Sequence, residues 1–144
     1  METISRIISF YPPHQHQQIR LLLAGTLKAV VCQRLLTRCD MPGRVPALEI
    51  LISTAAVRDY LLDPEKTSAI PDLIEDGAQY GMMSFDQSIM GLYKAGMISF
   101  EEAMNQCSNP DEFDMRIRGI MGASDRWEGE GKEMTEEQGD VKKF

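Results

Sequence analysis

Two hydrophobic rhythms divide the chain. Between His14 and Val31 the apolar residues Ile19, Leu22, Leu23, Leu27, Val30 and Val31 recur at helical spacing. That spacing lays one apolar stripe along a helix, and it predicts the longest helix of the chain here. Ahead of it, Thr3 is placed to cap a short helix from Ile4 to about Phe10, which Pro12-Pro13 would stop. The rhythm then turns β-like in Gln33 to Thr37 and again in RVPALEILI, Arg44 to Ile52. The CDMPG between them supplies turn residues, so the two runs predict a hairpin with a longer loop. Pro46 has no N–H to give a ladder and belongs on an edge position of that hairpin.

After Ser53-Thr54 the pattern is helical and is punctuated by caps. Thr54 is a natural N-cap for a helix from Ala55 to about Leu62, closed by Asp63-Pro64. A second helix is expected from about Ser68 to Tyr80, with Pro71 in its first turn and Gly81 at its end. Ser84 and Gln87 form an S-x-x-Q capping box before the stripe Phe85, Ile89, Leu92 and Tyr93, and Gly96 closes that helix. Ser99 and Glu102 repeat the device as S-x-x-E for a helix to about Cys107. Asn109 caps a last helix, with Pro110 at its first position and Asp111 and Glu112 favourable to its dipole. The pattern therefore predicts an α/β fold, mainly α, with serial short helices around a β-hairpin. From about Gly122 Gly and Glu dominate. Residues 1–121 are expected to form the domain and 122–144 a disordered acidic tail, with Trp127 an exposed aromatic within it.

Composition narrows the function classes. The 144 residues, 43% hydrophobic, suit one modest domain with a core of its own. No apolar run approaches the roughly 20 residues that cross a bilayer, and METISRIISFYPP lacks the order of a secretory signal. Direct membrane insertion is therefore not expected. Cys32, Cys39 and Cys107 are odd in number, scattered and without a CxxC, which reads as reduced thiols in a cytosolic protein. His14-x-His16 has no acidic or Cys partner nearby and reads as a solvated helix start, so no metal site is expected. Met82, Met83, Met90, Met97 and Met104 read as adaptable core filler.

The net charge of -7 is uneven: residues 1–58 carry +4 and the remainder -11. A basic half beside an acidic half suits head-to-tail contacts between copies, or a phosphate ligand near the basic half; two ordinary solvated faces would give the same balance. Nucleic-acid binding is not expected, because the basic residues are spaced out with few aromatics among them.

Catalytic motifs are missing from these residues. There is no G-x-x-x-x-G-K-[ST] phosphate loop, no GxGxxG after a strand and no GxSxG elbow. Without a backbone cradle for phosphates and a lysine on them, the chain alone is expected to bind no cofactor and to hydrolyse no nucleotide.

The order of the segments resembles the PilT family, the hexameric ATPases that retract type IV pili, within the wider secretion-ATPase superfamily. The matching stretches are ISRIISFYPPHQHQQIRLLLAGTLKAVVCQRLL and GRVPALEILISTAAVR, then LIEDGAQYGMMSFDQSI and LYKAGMISFEEAM. They run from about Thr3 to Met121, and the resemblance covers only the C-terminal part of the family's motor domain. It implies the C-terminal part of a RecA-like P-loop NTPase motor domain. In the family, the phosphate loop, acidic boxes and histidine box precede this region. The full motor uses ATP and Mg, works as a homo-hexamer in the cytoplasm, at the inner-membrane face, and engages the pilus inner-membrane machinery.

Within the resemblance, AVRDYLLD falls on the family's AIRNLIRE motif, which is associated with retraction. Ala56 and Arg58 match it outright, and Val57, Asp59, Leu61 and Asp63 replace Ile, Asn, Ile and Glu. Tyr60 replaces a Leu, and Leu62 stands where the family has a second arginine. YGMMSFD, Tyr80 to Asp86, resembles the family's HGMQTMD, with Tyr80 in place of the histidine. With Thr54 as cap, Arg58 and Leu62 share a helix face and Asp59 lies on a neighbouring one. Arg58 is expected to point outward, either to a carboxylate across a subunit boundary or to an intramolecular partner such as Asp63 or Asp86. Arg20, Arg34, Arg38 and Asp86 are further candidates for a subunit interface or a nucleotide-facing surface.

Two functions of different class follow. One is the C-terminal portion of a pilus-retraction motor, coupling nucleotide state to subunit movement, as a truncation or a fragment. The other is a stand-alone, non-catalytic module that binds a pilus or secretion motor. Either would leave apolar surface exposed where the family's core normally leans.

Overall fold

The computed structural model describes residues 2–119. The tail expected over 122–144 lies outside the described residues, as does Trp127. The elements in order are α1 (Glu2–Ser9), α2 (His16–Thr26), β1 (Ala29–Thr37), β2 (Arg44–Ile52), α3 (Ala55–Leu62), α4 (Ile70–Glu75), α5 (Phe85–Lys94), α6 (Phe100–Gln106) and α7 (Pro110–Ile117). Short 3-10 turns occupy Pro13–Gln15, Thr67–Ala69 and Ala78–Tyr80. Serial short helices around one antiparallel hairpin are thus the observed architecture.

The hairpin pairs all nine residues of each strand, from Ala29 opposite Ile52 to Thr37 opposite Arg44. Its inner face carries Val30, Cys32, Arg34 and Leu36 opposite Leu51, Glu49, Ala47 and Val45. The open end of that face joins a core of Ile4, Ile8, Ala24, Leu51, Val57, Leu61, Ile70, Ile74 and Met82. The turn end joins a second core of Leu36, Val45, Ala47, Phe85, Ile89, Met90, Ile98, Ala103 and Phe113. One hairpin face therefore joins both helical groups, and burying each large aliphatic side chain contributes about 1.5–3 kcal/mol.

Several boundaries differ from the sequence expectation. The long helix does not reach Val31: it ends at Thr26, and Leu27 is already extended at φ -61°, ψ 131°. Val30 and Val31 instead lie in β1, which begins at Ala29, opposite Leu51 and Ile50. Two adjacent β-branched residues favour the strand, while Leu27 keeps the helical period because it still packs on the first core. Thr3 lies inside α1 and does not cap it. The helix expected over Ser68 to Tyr80 is only Ile70–Glu75, followed by a turn. Gly77 explains the break, since a Cβ there would meet the Leu73 carbonyl oxygen and Met82 Sδ, each at 2.6 Å. Gly81 then takes the left-handed conformation, φ 79°, as glycine does without a Cβ clash.

The caps fall where their residue types placed them. Thr54, Ser84, Ser99 and Asn109 each accept the backbone N–H three residues on. The Ser84–Gln87 box is complete, with Gln87 Oε1 accepting the Ser84 N–H at 2.9 Å. The Ser99 box is not, because Glu102 turns away to accept the Thr37 N–H at 3.0 Å. A tertiary acceptor site on the hairpin wins over the local one.

Candidate functional site

The segment Ala56–Asp63 is set by its two flanks. β2 ends at Ile52, Thr54 is extended at φ -77°, ψ 173°, and its Oγ1 accepts the Val57 N–H. Val57 and Leu61 are wholly buried, 0% exposed, so α3 turns Ala55, Ala56, Arg58, Asp59 and Leu62 outward. Tyr60 is half-buried against the first core. Leu62, at the position of the family's second arginine, is 41% exposed. An apolar side chain thus stands in water beside Arg58.

Arg58 Nη2 donates to the Ser53 carbonyl at 3.3 Å, and the residue is exposed. Neither intramolecular partner considered for it is in place. Asp63 accepts the Glu65 N–H at 3.0 Å and pairs with Lys66 at 3.4 Å. Those two contacts, the Glu65 N–H above all, pull its carboxyl below the usual range. Asp86 Oδ1 accepts the Ser108 N–H at 2.9 Å. The single backbone contact leaves most of the Arg58 fork available to a carboxylate on another molecule.

The other candidates are each held in a separate local contact. Arg20 Nη1 donates to the Leu61 carbonyl at 2.9 Å and to Thr67 Oγ1 at 2.7 Å, pinning the C-terminal turn of α3 to α2. Thr67 is buried and its hydroxyl lies 2.9 Å from the Asp63 carbonyl, so it links Arg20 to the end of the motif segment. Arg34 lies over the Phe85 ring, 4.2 Å from its centroid, and donates to the Gln106 carbonyl at 2.9 Å. Arg38 chelates Asp40 through Nε and Nη2. That pairing pulls the Asp40 carboxyl down to about 2 and raises Arg38 further. His16 Nε2 sits 2.7 Å from the Tyr11 carbonyl and His14 is exposed; among the described residues no His, Cys, Asp and Glu group could hold a metal.

One cluster escaped the sequence reading. Glu75, Asp86, Asn109, Glu112, Phe113 and Arg116 line a small cleft, with Arg116 paired to Glu112. Burial pushes the Glu75 carboxyl up, with Arg116 opposing and Glu112, Asp86 and Asp72 adding to the rise. The Glu112–Arg116 spacing was visible as an i,i+4 pair, but nothing local tied α4 to α7.

No protein-family model matches the chain. In sequence it is 34% identical over 110 residues to a twitching motility protein of Neisseria gonorrhoeae, covering 76% of this chain and 29% of that protein. It is 31% identical over 117 residues to the type IV pilus ATPase PilU of Pseudomonas aeruginosa, covering 81% and 30% respectively. Its fold superposes on the crystal structure of the pilus retraction motor PilT with bound ADP at a TM-score of 0.63. That match has 31% identity and covers 77% of this chain and 30% of the other. The chain therefore spans under a third of the length of these relatives. Among the described residues, no helix is long and apolar enough to cross a membrane.

Proposed function

We propose, from the premise that this chain is homologous to the C-terminal part of the PilT-family motor domain, that it serves as the corresponding part of a pilus-retraction motor. It relays the nucleotide state of a phosphate-loop core, loaded with ATP and Mg, to neighbouring subunits of a hexamer at the cytoplasmic face of the inner membrane. Rigid-body movement of packed helices carries the signal, and the pilus inner-membrane machinery receives it. Arg58 is the residue that reaches a neighbouring subunit, with Ala56 to Asp63 as the relay segment. Arg20 braces the end of that segment, and Arg34, Arg38 and Asp86 belong to separate subunit-interface or nucleotide-facing surfaces. The observation that carries this reading is the similarity to twitching and pilus ATPases through some four fifths of the chain, with α3 presenting Arg58 outward.

The test is a chimaera in which this chain replaces the matching segment of a PilT-family motor. Hexamers by light scattering and ATP turnover are expected, together with twitching in a motor-deficient host. Arg58→Ala in the chimaera should lower turnover about tenfold, the loss of about 1.4 kcal/mol of coupling, and leave the thermal transition in place. A chimaera without hexamers or turnover, or one indifferent to Arg58→Ala, refutes the relay.

A further inference from the structure

The two cores divide the helices into two groups. The first core is built on α1 to α4 and the second on α5 to α7, with the hairpin common to both. The chain passes from one group to the other through residues 78–84, where Gly81 is left-handed at φ 79°. Along this seam α4 meets the second group through polar side chains. Gln87 Nε2 on α5 donates to the Glu75 carbonyl at 3.1 Å. Glu75, Asp86, Asn109, Glu112, Phe113 and Arg116 line the cleft where α4, α5 and α7 meet.

Three of these side chains are acids, and two of them are held in the ionised form. Glu112 accepts from Arg116 at Oε1 and from Asn109 Nδ2 at Oε2, the latter at 3.4 Å. Asp86 Oδ1 accepts the Ser108 N–H at 2.9 Å. Donors of this kind favour a carboxylate over its acid. Glu75 has no donor to its carboxyl among the described residues. It is half-buried at the C-terminal end of α4, where the carbonyl end of a helix disfavours an anion. Burial pushes its carboxyl up, and although Arg116 opposes, Glu112, Asp86 and Asp72 add to the rise. The charged groups that face it are thus Asp72 on α4, Asp86 on α5, and Glu112 and Arg116 on α7. Arg116 is itself committed to Glu112.

We propose that Glu75 is a proton-operated latch on this seam: neutral, it holds α7 and the start of α5 closed against the end of α4, and ionised, it releases them. The neutral carboxyl brings an O–H donor into a cleft where ionised Asp86 and Glu112 only accept. The ionised carboxyl adds a third negative charge to the same cleft against one guanidinium, and it gains full hydration only when α4 and α7 part. Such a parting leaves both helical groups standing, because each keeps its own apolar cluster on the hairpin. Local opening of this kind costs less than global unfolding, and residues 78–84 are its hinge. The folded carboxyl titrates above its unfolded value, so the closed seam is favoured below that value and weakened as pH rises through the folded one. The latch uses neither α3 nor Arg58 and stands apart from the motor reading.

Two NMR measurements on the full chain test this, from mildly acidic to neutral pH. Carbon-13 titration of the carboxyl groups should give Glu75 a midpoint above the ordinary glutamate range. Glu112→Gln removes a like charge and frees Arg116, so it should lower that midpoint. Hydrogen exchange, expressed as protection relative to the unfolded-chain rate, reads the opening itself. The α7 amides, Phe113 N–H on the Asn109 carbonyl among them, should lose protection several-fold as pH rises through the Glu75 midpoint. The hairpin amides should keep theirs. Glu75→Gln, which is neutral throughout, should hold α7 protected across the range. An ordinary Glu75 midpoint overturns the latch, a result read on the wild type alone. So does an α7 loss that persists unchanged in Glu75→Gln, or one shared equally by the hairpin amides, which would be global unfolding.

Discussion

The clearest mechanical test concerns Arg20, which bolts α2 to the end of α3. Its Nη1 donates to the Leu61 carbonyl at 2.9 Å and to the Thr67 hydroxyl at 2.7 Å. Arg20→Met keeps most of the apolar stem and removes both bonds. A hydrogen bond from a charged donor contributes about 1.5–3 kcal/mol. Arg20 is only part-buried, so water replaces some of this and each bond counts at or below the lower end. A cation at the C-terminus of α3 adds about 0.3–1 kcal/mol through the helix dipole. The expected loss is therefore about 2–3 kcal/mol, read as a lower urea midpoint with an unchanged slope. Arg20→Lys keeps the charge but not the planar fork, and should lose about half as much. Thr67→Val in the Arg20→Met background should cost less than in the wild type, because the two residues share one network. If Arg20→Met falls within about 0.5 kcal/mol of wild type, the range of an ordinary surface change, the bolt is not structural and the reasoning fails.

Three further outcomes follow from the packing and the charges. Gly77→Ala drives a Cβ against the fixed Leu73 carbonyl and Met82 and should cost about 1–3 kcal/mol in thermal unfolding. Gly91→Ala, in α5 with open space around it, should instead stabilise by up to about 1 kcal/mol. Glu75 has a folded pKa raised by burial, so its favourable contribution is present below its unfolded value and lost as pH rises through the folded one. Glu75→Gln should therefore gain stability over wild type at neutral pH and little in acid. A difference that is the same at both, by denaturant titration, would contradict the desolvation account.

The helix starts were legible because capping is local: Thr54, Ser84, Ser99 and Asn109 each reach a backbone N–H three residues away. The outward placement of Arg58 was legible for the same reason, since a cap at Thr54 sets the phase of α3 and buries Val57 and Leu61. Where two local signals competed, the periodicity misled. The Leu27–Val31 stretch fits a helical stripe, yet its valines pair across the sheet, because the long-range ladder outweighs the spacing. Glu102 likewise left its local box for a strand N–H that no sequence window contains.

The sequence by itself determined the alternation of hairpin and capped helices, the family resemblance and the residue that α3 presents. Only the tertiary structure decided which arginines are tied down. Arg20, Arg34 and Arg38 look alike along the chain, yet one holds a helix end, one lies on Phe85 and one pairs with Asp40. It also decided how the outer edge of β2 is closed, since Ser88 and Met83, which close it, lie far along the chain. Capping and periodicity act over a few residues, whereas the partners of a guanidinium or a strand edge are set by how the whole chain packs.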